Sequence, residues 1–125
     1  MNMVLLAAAG GALGSSARYL VNVGAGRLFG MGFPWGTMTV NIVGCFIMGV
    51  LVGWGALRGM TNEARVFLAT GILGGFTTFS AFSADFAALV ERKNFGLSAL
   101  YVTGSVVLSL MAVFAGLYLV RLWQT

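Results

Sequence analysis

Gly71-Ile72-Leu73-Gly74-Gly75-Phe76-Thr77-Thr78-Phe79-Ser80 lies in the middle of an apolar stretch, residues 64 to 90, whose charges, Arg65 and Asp85, stand toward its ends. The stretch exceeds the about 20 residues that a helix needs to cross the hydrocarbon of a bilayer. Lipid accepts only backbone whose polar groups are satisfied, which here means a helix. Yet Gly71, Gly74, Gly75, Thr77 and Thr78 are weak helix formers placed together near the midpoint. The stretch therefore predicts a membrane span broken near mid-membrane. Unwound backbone at that depth is tolerated only where protein or water satisfies it, and its carbonyls are suitable ligands for a hard monovalent cation. The residues also allow a second reading, a continuous helix with a glycine packing face.

Outward from this stretch the pattern repeats. Residues 4–26, 35–57 and 96–122 are equally apolar, and short polar joints separate the four stretches. The chain of 125 residues is 59% hydrophobic and 8% charged, with a mean hydropathy of +0.96, so a fold whose surface faces water is excluded. The expectation is an all-α membrane protein, one transmembrane domain over 1–125 with four transmembrane helices. The first stretch lacks a basic leader and runs long before its first charge, Arg18, so it reads as a retained span and not a signal peptide. Cys45 is the only cysteine, which rules out an intrachain disulfide and leaves the thiol as a small hydrophobe. The net charge of +4 is spread over span ends, which suits anionic lipid headgroups and gives no basic run for nucleic acid. Without histidine, and with Glu63, Asp85 and Glu91 read at or near span ends, neither a buried proton relay nor hydrolytic or metal-centre catalysis has support.

Basic residues balance across the membrane: Arg58, Arg65 and Arg121 flank one face, Arg27, Arg92 and Lys93 the other. Positive charge in short loops sets orientation, so three against three predicts insertion both ways up. A fixed topology set by Arg18 or the first span is the alternative. Four helices do not readily enclose a polar path while packing on one another, and no repeat joins the two halves of the chain. Both points favour an antiparallel homodimer of dual topology. Its twofold axis would lie in the membrane plane, where the two breaks meet and share one cation. Small-xxx-small pairs at Gly10/Gly14, Gly49/Gly53 and Gly71/Gly75 suit close helix packing.

Several polar residues share helix faces inside the spans. Thr37 and Asn41 lie four apart in the second, and Tyr101, Ser105 and Ser109 repeat at the same spacing in the fourth. Phe76, Phe79, Phe82 and Phe86 form a stripe in the third, with Ser80 and Ser83 beside it. Hydroxyl and amide groups donate to anions, and the positive edge of a phenyl ring faces a small anion without a full counter-charge. Held this weakly, an anion is also released. Each residue singly has a plainer reading, lipid-facing or core for the rings and a bond to its own helix for the hydroxyls. Arg18, inside the first span, must snorkel, pair or face a wet vestibule with Asn22 one turn on. An interfacial anchor is the alternative.

At these residues the sequence resembles the bacterial fluoride channel family. Gly74-Gly75-Phe76-Thr77-Thr78-Phe79-Ser80-Ala81-Phe82-Ser83 is similar to that family's signature in a broken third helix. Gly36-Thr37-Met38-Thr39-Val40-Asn41 and Gly14-Ser15-Ser16-Ala17-Arg18 resemble its second- and first-helix motifs. The resemblance covers essentially the whole chain. It implies passive export of cytoplasmic fluoride across the bacterial inner membrane by a dual-topology homodimer with two pores. Phe79 and Phe82 would be the pore phenylalanines, with Asn41, Ser80 and Ser83 lining the path and Tyr101, Ser105 and Ser109 as its fourth-helix track. A structural sodium ion, Na+, would sit at the dimer centre on the backbone oxygens of Gly74 and Thr77. Two rival classes remain: a small proton-coupled multidrug exporter of dual topology, which needs a glutamate in the first span, and a non-transporting assembly subunit.

Overall fold

The computed structural model describes residues 2–124, and among them every regular element is a helix. α1 runs Met3–Phe29 and α2 Trp35–Arg58. α3 (Asn62–Arg65), a π-helical stretch (Val66–Leu73), α4 (Gly74–Phe76) and α5 (Phe79–Glu91) follow end to end, and α6 is Phe95–Trp123. These make four segments long and apolar enough to cross a membrane, the third being Asn62–Glu91. At 1.5 Å per residue the shortest, α2, is roughly 36 Å long, enough for the about 30 Å of hydrocarbon with a turn to spare. Local chemistry sets the ends. Asn2, Thr61 and Asn94 cap the starts of α1, α3 and α6 with side-chain oxygens, and Gly30 and Gly59, at positive φ, stop α1 and α2.

The closest packing joins alternate spans, which run in the same direction: α1 lies against the third span and α2 against α6. Lipid tails are as apolar as the side chains, so helices associate by close fit more than by hydrophobic drive. Glycines make that fit. A Cβ on Gly10 would stand 2.8 Å from the Gly71 Cα, and one on Gly14 would overlap the Ile72 carbonyl. On the other pair, Gly49 lies against the Val113 carbonyl and Gly116 against that of Phe46. All three small-xxx-small pairs stand at these contacts: Gly53 meets Val120, and Gly75 meets Gly11 and Ser15. Few side chains are fully enclosed (Val40, Leu89 and Tyr101), while large apolar groups from Val4 to Trp123 cover the outside, as lipid requires.

The third span is broken where its glycines and threonines fall. Thr77 (φ −88°, ψ 157°) and Thr78 (φ −155°, ψ 122°) are extended, at the middle of Asn62–Glu91. The π-helical turns before them, which nothing in the sequence reading anticipated, show the helix already loosened ahead of the break. One placement needs correcting. Asp85 is not at a span end: it lies six residues before the last residue of α5, about 9 Å along the axis.

Candidate functional site at the broken third span

A broken helix exposes backbone groups that must find partners. Here side chains from two other spans supply them. Asn41 of α2 accepts from the Thr78 N–H through Oδ1 at 2.8 Å and donates through Nδ2 to the Thr78 carbonyl at 3.1 Å, pinning the extended residue at both ends. Arg18 of α1 donates through Nε to the Gly75 carbonyl at 2.9 Å. The threonines finish the ends. Thr77 Oγ1 donates back to Leu73 O at 2.9 Å, and Thr78 Oγ1 caps α5 by accepting from Ala81 N at 3.0 Å. Among the described residues, the Gly74, Phe76 and Thr77 carbonyls accept no hydrogen bond.

Beside the pin lies a cavity of about 250 Å³, lined by Asn41, Cys45, Thr77, Thr78, Phe79, Phe82, Ser105, Val106 and Ser109. Helical spacing explains the set: Asn41 and Cys45 are one turn apart on α2, Ser105 and Ser109 on α6, and Phe79 and Phe82 on α5. The Phe79 and Phe82 ring centroids are 5.5 Å apart. Ser105 and Ser109 Oγ are buried and have no hydrogen-bond partner, an unusual state for a hydroxyl whose ordinary recourse is its own helix. Two donors stand ready and unused. Asn41 adds a third, since its amide carries two N–H groups and the Thr78 carbonyl takes one.

A second cavity, about 290 Å³, opens at the end where α1 meets α2, with Asn22, Thr37, Asp85 and Arg92 in its wall. Tyr101 lines neither cavity but touches the walls of both. Its ring is fully buried, its hydroxyl donates to Asp85 Oδ2 at 3.1 Å, and Phe82 lies against it at 5.1 Å between centroids.

The structure thus gathers Asn41, Phe79, Phe82, Ser105 and Ser109 around one cavity and puts Thr37 in the wall of the other, while Tyr101 lines neither and touches a wall residue of each. Ser80 and Ser83 are exposed and line neither; the Ser80 hydroxyl lies 3.2 Å from that of Thr78. Arg18 is directed at the break and is absent from the outer cavity's wall, where Asn22 stands without it. Gly74 is exposed and Thr77 half-buried at the break itself. Asp85, Cys45 and Thr78 were not named as site residues from the sequence. A carboxylate inside an apolar segment is the one signal that could have marked Asp85.

A four-span membrane protein that collects unused hydroxyl and amide donors beside a broken helix is a small membrane ion-path protein by build. The family profile described as CrcB-like protein, Camphor Resistance (CrcB), matches residues 5–117, and the chain belongs to that family. Among its relatives are proteins named fluoride-specific ion channel FluC. That of Caulobacter vibrioides (strain NA1000 / CB15N) is 53% identical over 123 residues, 97% of either chain. That of Rhodospirillum centenum is 55% identical over 122 residues, again 97% of either chain. That of Cereibacter sphaeroides (strain ATCC 17029 / ATH 2.4.9) is 58% identical over 124 residues, 99% of this chain and 98% of the relative.

Proposed function

We propose that this chain is a fluoride channel, which lets cytoplasmic fluoride leave passively and so protects the cell against it. The observation that carries the reading is the inner cavity, where the orphaned hydroxyls of Ser105 and Ser109 and a spare Asn41 N–H face the rings of Phe79 and Phe82. Fluoride entering it gives up water and regains hydrogen bonds from these donors, while ring edges replace the rest of its shell without a fixed counter-charge. No bond is made or broken, so the chain is not an enzyme. Hydrogen fluoride crosses membranes neutral and ionises in the cytoplasm, which makes a selective anion leak protective. The rival proton-coupled exporter needs an acid in the first span, and α1 has none.

A second copy completes the machine in this reading. Gly74 is exposed, and in hydrocarbon each unpaired carbonyl of the break costs several kcal/mol. Phe79, 78% exposed at the edge of the cavity, is likewise positioned for a partner to cover. The balanced basic residues favour an antiparallel copy in the bacterial inner membrane. Ser80 and Ser83, exposed on the same helix, then reach the path from across the interface. The unpartnered carbonyls of Gly74 and Thr77 fit a hard cation: one chain offers two oxygens, and a twofold-related pair four. Sodium bound there supplies the charge that satisfies carbonyls no side chain reaches.

Fluoride and chloride efflux from proteoliposomes tests the function: rapid fluoride with little chloride is expected, and equal rates, or no fluoride flux, overturn it. Cross-linking yield with sodium and with choline as the only cation tests the shared site, where choline should lower the dimer fraction.

A further inference from the structure

Phe33 lies in the loop between α1 and α2 and was not read as a site residue. Its backbone is fixed by a tight turn: Pro34 sits at φ −80°, ψ 68°, and Trp35 N donates across it to Phe33 O at 2.8 Å. This is an inverse γ-turn, whose φ proline sets in advance. The Trp35 ring packs on Phe33 at 4.7 Å between centroids, so the side chain is braced as well. Half-buried, Phe33 forms part of the outer cavity wall, and its ring meets Tyr101 at 5.5 Å and 89°.

Tyr101 lies against wall residues of both cavities and is held on several sides. Asp85 takes its hydroxyl, Phe82 lies against its ring from the inner side, and Phe33 meets it from the outer side. The hydroxyl bond leaves the ring free to rotate about its own long axis, so the flanking rings must fix its plane. That plane matters to a passing anion because a ring's edge is positive and its face negative.

We propose that Phe33 is a positioning residue of the ion path: a rigid ring in the first loop that fixes the plane of Tyr101 and thereby sets fluoride passage between the two cavities. The proposal rests on the fluoride reading above. No residue of the loop lines the inner cavity, so Phe33 reaches that cavity only through Tyr101.

The test compares wild type, Phe33→Leu and Phe33→Tyr in fluoride efflux from proteoliposomes, with thermal melting and elution volume in detergent as fold controls. Leucine keeps most of the bulk without a ring; tyrosine keeps the ring and adds one hydroxyl. Phe33→Leu should slow fluoride efflux by roughly tenfold, the worth of one aromatic pair, while Phe33→Tyr stays within about twofold of wild type. Phe33→Leu within twofold of wild type overturns the proposal. So does a Phe33→Tyr rate as low as that of leucine, since a ring-dependent role requires rescue. Should the leucine protein not fold, Phe33→Met is read by the same criterion. Wild-type efflux in the same vesicles separates the two ideas: no fluoride flux there overturns the channel reading, and normal flux with indifferent variants overturns this one.

Discussion

Asn41→Ala removes both hydrogen bonds that hold Thr78, the extended residue on which the third span turns. The Thr78 N–H loses its partner at 2.8 Å and the carbonyl its partner at 3.1 Å. No other group of the described residues bonds to either. A buried backbone group left unsatisfied costs about 1–3 kcal/mol, so the pair comes to roughly 2–6 kcal/mol. Thr78 is half-buried and lines a cavity that water can enter, which places the loss in the lower half of that range. Asn41→Asp is the informative companion. It keeps an acceptor for the N–H but sets a carboxylate oxygen against the Thr78 carbonyl, so it should destabilise at least as much despite its matching shape. Thermal melting of the purified protein in detergent, followed by the fraction that still elutes at its native volume, reads the effect. Both variants should melt several degrees lower. An Asn41→Ala protein that melts within a degree of wild type would refute the reasoning, because the break would then hold without its pin.

Ser105→Ala with Ser109→Ala separates a pore role from a structural one: deleting hydroxyls that bond to nothing should leave melting unchanged or raised, while fluoride efflux falls more than about tenfold, since a hydrogen bond to an ion is worth about 1.5–3 kcal/mol. A lower melting temperature with unchanged efflux would reverse that assignment. Gly14→Ala drives a Cβ into the Ile72 carbonyl and should cost about 1–3 kcal/mol by prising α1 from the third span, whereas Gly24→Ala, with open space around it, should melt at or slightly above wild type. Cys45 lines the inner cavity and is the only cysteine, so methylmercury should slow fluoride efflux in wild type and leave Cys45→Ala untouched; equal sensitivity would place the thiol off the path.

The spans and the break were legible because each depends on local composition: hydropathy over some twenty residues, and glycine with threonine at one spot. What satisfies the break was not legible. Asn41 and Arg18 stand 37 and 57 residues from their partners, and helical periodicity tells which residues share a face without telling what that face meets. Thr37 and Asn41 show the limit. They lie on one face of α2, yet a single turn of rise sets them in different cavities. Asn41 braces the backbone and, as an amide, still retains one N–H donor. Phe33 left no sequence signal, since its importance comes from a turn and from a ring on another span.

Orientation offers a test that does not depend on any pore residue. The chain's alternating spans put Arg58, Arg65 and Arg121 at one end and Arg27, Arg92 and Lys93 at the other, a balance of three against three. Replacing Arg27 and Lys93 by glutamine leaves three against one, enough for short-loop charge to favour one insertion. If the conducting unit needs both orientations, this variant alone should transport little fluoride although it folds. Replacing Arg58 and Arg65 by glutamine biases the opposite way and should be just as poor alone. Expressed together, the two should restore fluoride efflux, since each supplies the orientation the other lacks. A cysteine added at one terminus in a Cys45→Ala background reports the bias: labelling from both faces in the parent, and mainly from opposite faces in the two variants. A variant labelled from one face only that conducts as well as its parent would rule out the antiparallel pair. The uncovered carbonyls at Gly74 and Thr77 would then need a partner in the parallel sense.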